Sequence, residues 1–594
     1  MHRYIFIHRT DTIFMDDFSN NDRDVFLIKT DMIDRGALMS RYSRTANLDI
    51  REVYGKEFKN NPDRASNFYK RIFLDYGDES VAELTTAQMG IQNVSNIVTK
   101  VIEEPRIGLS YLEKSSRYVK YNKKVNGNYL FLRGENAGVG AMESRYNSYC
   151  NDLFDFYSAA YPEMMKYMED ANPIENFTFE IGGKNYKYTN LESVDENTLS
   201  KSYKSSLRSA VLDEIRALLP ASTLTNIGIS GNGRAFISLI ERLKAYGTPE
   251  AEKYGELIYR ELEPELPELI EDAVSAHGIA QIKYNNARDS IGNSFSNDIA
   301  NVPALKVINF MDEKRAIDLA TGMLLYGSSA GSSNVDIPPE KQYSILKELE
   351  SLRGNRRHKL GRAFEGITYS FEVNMNYGAF REFQRHRFFS IIRKPLSTQY
   401  GYDIPENLGK IPELRSRYVE LMDEARILYN DIMGRSGRKI AQYVVPYAYK
   451  YPVVFSSNLN ELTYFIELRS NQQVHPDLRK VALDIYSEIK KIHPHLATLN
   501  QNLYDNETVL ADNVRKQLRR ETKEWIDIDQ KMDNGDKYTA YLVLAASNLR
   551  IALSYLWRLS KLPDFSDHIT EYPLEFMQKL INMINNEAMG NVLL

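Results

Sequence analysis

The sequence predicts an α+β protein built from two tandem mixed α/β domains with flanking helices and a helical segment appended at the C-terminal end. Three observations predict it. The chain has 594 residues, more than a single hydrophobic core commonly organises. Blocks of its first half return in its second half at fixed spacings. Strand-like and helix-like periodicities also alternate inside each copy.

The spacings fix the register of the repeat. "SVAELTTAQMGIQ" and "KSSRYVKYN" resemble "GRAFEGITYSFEV" and "PLSTQYGYD"; Glu365, Ser397 and Tyr400 follow Glu83, Ser115 and Tyr118 at a constant offset of 282 in residue number. Further on, Pro446 and Asn458 follow Pro220 and Asn232 at a constant offset of 226. The first copy is therefore longer between these blocks by the difference, 56. The extra length is expected at about 125–205, where "NGNYLFLRGENAGVG" and "FTFEIGGKNYKYTNLESVDENT" read as hairpins or loops punctuated by Gly and Asn. The expected domains are 1–290, containing that insertion, 300–500, and a C-terminal helical extension at 501–594. The stretch from Tyr284 to Pro303, rich in Asn, Ser and Asp, reads as the linker.

Within the second copy, Ile367, Tyr369, Phe371, Val373 and Met375 alternate as on a half-buried strand. "NYGAFREFQ" then predicts a helix, and "VALDIYSEIKKI" another, with Val481, Ile485, Ile489 and Ile492 at helical spacing. Arg385, His386 and Arg387 fall just past the first of these helices, where cations also favour the helix dipole.

Composition excludes several classes. Hydrophobic residues at 43%, charged residues at 26% and 40 tyrosines are incompatible with wholesale disorder. The 75 Lys and Arg against 80 Asp and Glu leave a net charge of −5, so nothing draws the whole molecule to nucleic acid or to an anionic membrane, and any basic site is local. The one cysteine, Cys150, excludes an internal disulfide framework and a multi-cysteine metal site, and reads as a buried structural thiol. The opening "MHRYIFIHRTDTIF" is too short and too charged for a signal peptide. "AYLVLAASNLRIALSYLWRL" carries Arg550 and Arg558, which suits a buried helix better than a membrane span. A soluble, cytoplasmic protein is expected, without membrane or metal.

The segment "EFQRHRFFSIIRKPLSTQYGY", Glu382 to Tyr402, is such a local basic feature. Taken alone it suits a solvated basic face, a stacking surface for single-stranded nucleic acid, or a site for an anion and a planar ring. In the first copy, Glu103, Glu104 and Pro105 match the Arg-His-Arg triplet at the offset of 282. That copy keeps "LEKSSRY" instead, whose Glu113, Ser115, Ser116 and Arg117 offer hydroxyl, amide and guanidinium donors suited to phosphate.

Together, "YGDESVAEL", "SSRYV", "RALLP" with "GNGR", "FEGITYSFEV", "FQRHRFFS", and "VVP" with "NLNELTYFIELRS" resemble two tandem, diverged copies of the flavin-dependent thymidylate synthase family, ThyX, over roughly residues 25 to 495. The resemblance implies reductive methylation of dUMP to dTMP with FAD as cofactor and NADPH and methylenetetrahydrofolate as co-substrates. It also implies sites built where subunits meet in a homotetramer, hence a homodimer of this doubled chain. Carried over by motif, Arg385 and Arg469 would be catalytic; Glu113, Ser115, Ser116, Arg117 and Arg216, with those two arginines, would bind dUMP. FAD would lie against Arg385, His386, Arg387, Glu365 and Asn458, with Glu83 and Asn232 as the first-copy counterparts.

The opposite set is eroded: Gln442 stands for Arg216, Leu243 for Arg469, and Gln399 for Arg117. What one copy lacks the other keeps, so one composite site between the halves is expected and its mate should be vestigial. Two departures from the family stand out. Nine residues separate Arg387 from Ser397 where the family has seven, and Asp78 and Leu360 occupy the position of a family histidine. A catalytically lapsed relative that binds nucleotide or flavin in a regulatory or structural role is the alternative, and an RNA-binding module a third reading.

Overall fold

The structure, a computed structural model, describes residues 17–20, 26–43, 45, 49–61, 63–70, 82–105, 107–117, 119–181, 184–187, 193–294, 302–327, 337–471 and 474–503. It divides into two compact units, one of residues 1–159, 215–470 and 475–503, the other of 160–214, 471–474 and 504–594. The second unit takes in residues 160–214 of the first half. The predicted extension at 501–594 lies almost wholly outside the described residues, as does "GSSAGSSN".

In chain order the first half runs β1 (Thr86–Ser95), α1 (Asn96–Ile102), β2 (Leu109–Glu113) and α2 (Glu143–Ala171). The hairpin β3 (Thr178–Ile181) and β4 (Lys184–Lys187) and helix α3 (Ser193–Ile215) follow, then β5 (Leu224–Asn232), α4 (Gly233–Ala245) and α5 (Ala276–Ser294). The second half runs β6 (Leu305–Asn309), β7 (Thr368–Asn376), α6 (Tyr377–Phe383), β8 (Ser390–Ile392), α7 (Pro412–Ser436), β9 (Lys450–Asn458), α8 (Leu459–Arg469) and α9 (Pro476–Ile492). In the second unit β3 and β4 pair antiparallel, and Tyr203 donates to the carbonyl of Asn172 at 2.6 Å. The hairpin agrees with the sequence reading; Ser193 onward, read as loop, is helical. The stretch read as a linker is likewise helical as far as Ser294.

Both larger sheets belong to the first unit. One has the order β1-β5-β2, the other β6-β7-β9-β8. They repeat each other closely: Thr86 faces Asn232, and Thr368 faces Asn458, the two partners that the offsets of 282 and 226 predict. β7 buries Tyr369, Phe371, Val373 and Met375, the period-2 face expected of it. Each middle strand ends in an asparagine that caps the next helix: Asn232 accepts from the Ala235 amide and Asn458 from the Glu461 amide, both at 2.9 Å. These caps explain why strand gives way to helix at equivalent points.

The two halves meet about an approximate two-fold axis. Pro220 and Pro446 form an antiparallel bridge with each other. The amide of Ala221 donates to Val445 at 2.8 Å, and that of Tyr447 to Leu219 at 3.0 Å; Ser222 to Tyr443 and Ala448 to Ala217 form the next reciprocal pair, at 3.1 and 3.0 Å. Each bond is the other with the two halves exchanged at the offset of 226, as an isologous contact demands.

One detail corrects the register drawn from sequence. β1 carries a bulge between Ile91 and Val94, with Asn93 at φ 56°. This extra residue brings α1 and α6 to an offset of 281, Asn96 matching Tyr377 and Ile102 matching Phe383. By that register Arg385 and His386 correspond to Glu104 and Pro105, and Arg387 to Arg106, not to Glu103, Glu104 and Pro105.

Candidate active site

The site grows from α6, a helix whose seven residues are all buried although two are charged, Arg381 and Glu382. A buried charge persists where opposite charge surrounds it. The Glu382 carboxylate lies 3.0 Å from Arg216 Nη2 and 3.8 Å from both Arg117 Nη1 and Arg469 Nη1. Burial pushes this carboxyl up, but Arg216, Arg117, His475 and Arg469 outweigh it and hold it far below the usual range. Arg117 and Arg216 come from the first half and Glu382 and Arg469 from the second, so one carboxylate gathers three of the expected arginines across the pseudo-two-fold axis.

Arg469 is placed by a second contact. Its Nε donates to Nε2 of His386 at 2.9 Å, and its Nη2 to the carbonyl of Glu382 at 3.3 Å. An Nε2 that accepts leaves the imidazole proton on Nδ1, which faces Glu461 Oε1 at 3.8 Å. The ring stacks on Phe389 and meets Phe465 edge-on, with centroids 5.3 and 4.7 Å away. Burial lowers the His386 pKa to about 4, so near neutrality it is an uncharged acceptor.

The phosphate-type arm is held by α6 as well. Glu113 is paired with Arg381 Nη2 at 2.7 Å and Lys100 Nζ at 2.9 Å, and Arg381 Nη1 donates to Ser116 Oγ at 3.2 Å. Burial raises the Glu113 carboxyl, but Arg381 and Lys100 prevail and hold it at about 2. Ser115 Oγ accepts from the Arg117 amide at 3.3 Å, and Ser397 repeats the turn with Gln399 at 3.1 Å. The arm keeps its shape in both halves, with arginine at its end in the first only.

Arg385 is exposed, and no ion pair or hydrogen bond engages its side chain among the described residues. Its charge is felt at Glu103, Glu113 and Arg469, which places it beside the cluster. Arg387 reaches into the first half, where Nη1 donates to the carbonyl of Leu109 at 2.6 Å and to Ser110 Oγ at 3.2 Å. A depression of about 290 Å³ takes in His386, Arg387, Phe389, Arg242 and Arg393. The remaining residues carried over for flavin have local partners. Asn232 and Asn458 cap helices, Glu83 pairs with Arg234 at 2.9 Å, and Glu365 accepts from Asn460 at 3.4 Å.

Sequence reasoning missed Glu382, Arg381 and Lys100. A signal was present: α6 reads as a short buried helix, and charged residues inside one need partners. At the mirror positions of the repeat stand Val101 for Glu382, Leu243 for Arg469 and Gln442 for Arg216, all buried and uncharged. Leu360 is buried, and Asp78 lies outside the described residues. Cys150 is fully buried, 3.9 Å from Ser222 Oγ, and burial pushes its thiol up to about 12, which suits packing rather than attack. Among the described residues no group of three or more His, Cys, Asp or Glu is placed to hold a metal ion, and no helix is long and apolar enough to cross a membrane.

The sequence profile described as thymidylate synthase complementing protein matches residues 33–268 and 306–495, one stretch in each half. The chain belongs to that family. A second profile, described as a domain of unknown function (DUF1940), matches residues 481–590. Among relatives of this chain, a UPF0159 protein of Thermoplasma acidophilum is 49% identical over 473 residues, covering 78% of this chain and 94% of its own. A flavin-dependent thymidylate synthase of Pyrococcus furiosus is 26% identical over 188 residues, covering 30% of this chain and 76% of its own. The likeness to the crystal structure of a UMP/dUMP methylase from Streptomyces cacaoi, bound with 5-Br dUMP, is slight: TM-score 0.28 and 14% identity over 34% of this chain and 94% of that one.

Proposed function

We propose that this chain is a tandem duplication acting as a flavin-dependent thymidylate synthase, which methylates C5 of dUMP at one composite site shared by its two halves. The observation that carries the reading is the convergence of Arg117 and Arg216 with Arg469 on Glu382, beside an unengaged Arg385. The three guanidiniums that converge on this carboxylate are donors of the kind that suits a phosphate. Uracil C5 is a weak nucleophile, and Arg385 and Arg469 beside the ring would draw charge toward its carbonyl oxygens and stabilise the anion that develops. His386, held neutral, positions Arg469 without adding a competing charge.

Exposed Arg385 and Arg387 offer cations for the diphosphate of a flavin, and the depression of about 290 Å³ beside Arg387 would take that part of the cofactor rather than enclose it. Bound reduced FAD would supply the hydride, with methylenetetrahydrofolate as carbon donor and NADPH as reductant. Two chains would pair into a pseudo-tetramer. The test is release of tritium from C5 of labelled dUMP by the purified, flavin-loaded protein. Release is expected, and its loss in Arg117→Ala and in Arg469→Ala alike; each should weaken dUMP binding about 10- to 100-fold, the worth of a charge-assisted hydrogen bond. Flavin or dUMP binding without tritium release would instead mark a lapsed relative.

A further inference from the structure

The mate of the composite site has lost the residues that would act on a nucleotide, yet it has not become a featureless core. A cavity of about 220 Å³ opens there. Val101 and Glu104 on its wall are the repeat partners of Glu382 and Arg385, and Arg242 and Ala245 flank Leu243, the partner of Arg469. Arg393 and Lys394 take the places of Glu113 and Lys114, because Ser390 of β8 pairs with Ser456 as Ser110 of β2 pairs with Ser230. The place is fixed by the pseudo-symmetry, but its chemistry is new.

Five cations line this cavity, Arg242, Arg288, Arg393, Lys394 and Lys439, against two acids, Glu104 and Asp289. In a chain of net charge −5, such an excess in one concavity is costly unless an anion neutralises it. Glu104 bridges Arg242 at 3.1 Å and Arg393 at 2.8 Å, and uses only part of each guanidinium. The Nε atoms of both arginines are buried without a hydrogen-bond partner among the described residues. Lys439 Nζ is held against the carbonyl of Tyr246 at 2.6 Å, and Lys394 against the hydroxyl of Tyr400 at 3.0 Å. Both halves contribute, so the cavity exists only in the assembled pseudo-dimer.

We infer that this cavity is a second binding site, for the phosphate or diphosphate group of a small metabolite, where ligand is bound and not transformed. The volume is below the ~300–1,000 Å³ of sites that enclose drug-sized ligands, so it takes an anionic head group rather than a dinucleotide. The cavity shares Glu104, Arg242 and Arg393 with the depression beside His386; the inference goes beyond the proposed activity, and displacement of bound pyrophosphate by FAD would assign the anion to the flavin and overturn it.

Calorimetric titration of the full chain with inorganic pyrophosphate, and separately with orthophosphate, tests it. Pyrophosphate is expected to bind, to bind still in Arg117→Ala, and to lose about tenfold or more in affinity in the triple variant Arg288→Gln, Lys394→Gln, Lys439→Gln. The double variant Arg288→Gln, Lys394→Gln changes only exposed side chains; it keeps the question decidable if the triple variant fails to fold, and is expected to lose about threefold. Tighter binding of orthophosphate than pyrophosphate would still support the site and assign it to a monoester. Affinity unchanged in the folded variants, binding abolished by Arg117→Ala, or equal displacement by chloride at matched ionic strength would each overturn it.

Discussion

Glu382, which lies in none of the motifs, is the carboxylate on which Arg117, Arg216 and Arg469 converge. Removing its charge takes this carboxylate from the buried Arg216, and breaking one side of a buried ion pair costs about 3–5 kcal/mol. Glu382→Ala is therefore expected to lower unfolding free energy by about that amount in urea titrations, while Glu365→Ala, at an exposed position, should change it by less than about 0.5 kcal/mol. His386 makes a prediction of opposite origin. Its pKa is about 4 in the fold against the ordinary value of about 6.5. Between these values the unfolded chain takes up a proton that the folded chain refuses, so stability falls as pH drops from about 6.5 to about 4. At pH 5 the loss attributable to this group is roughly 2 kcal/mol. His386→Gln, which can still accept from Arg469, should remove that part of the pH dependence; an identical pH slope in both proteins would refute the assignment.

At the scale of the element, the strand-cap-helix unit is the repeated part. The family resemblance makes Asn458 a flavin contact, yet its side-chain oxygen starts α8, the helix that delivers Arg469. Asn458→Ala is expected to cost about 1 kcal/mol and Asn458→Ser to recover most of it, since serine caps nearly as well. Thermal unfolding measured beside flavin affinity separates the roles: a cap moves stability in this pattern, whereas a ligand contact moves affinity in both variants. Elements are legible in the sequence wherever periodicity is strong, as in β7, α6 and α9. α3 is not, because "LESVDENT" is polar enough to read as loop although a 23-residue helix begins within it. The bulge in β1 is also hidden, since one extra residue in a strand leaves no compositional trace.

For the whole molecule, the decisive feature is that Arg117, Arg216, Glu382 and Arg469 meet within one chain. If chains pair, a mixed dimer of Arg117→Ala and Arg469→Ala chains should be as inactive as either parent. A site formed between chains would instead regain about half the activity of one wild-type dimer, one site of two being intact. Tritium release from co-expressed, differently tagged chains distinguishes these outcomes.

By itself the sequence determined the α+β class and the two constant spacings at which blocks of the first half return in the second, because spacings and residue identities survive in one dimension. Only the tertiary structure decided that Glu382 is the common partner of the arginines, that Asn232 and Asn458 serve as caps, and that the mirror site carries cations. The caps depend on where each strand ends, which its pairing decides. The two charge clusters join side chains far apart in the chain, and they arise from burial: a charge placed inside the fold takes whatever counter-charge the pseudo-two-fold axis brings to it.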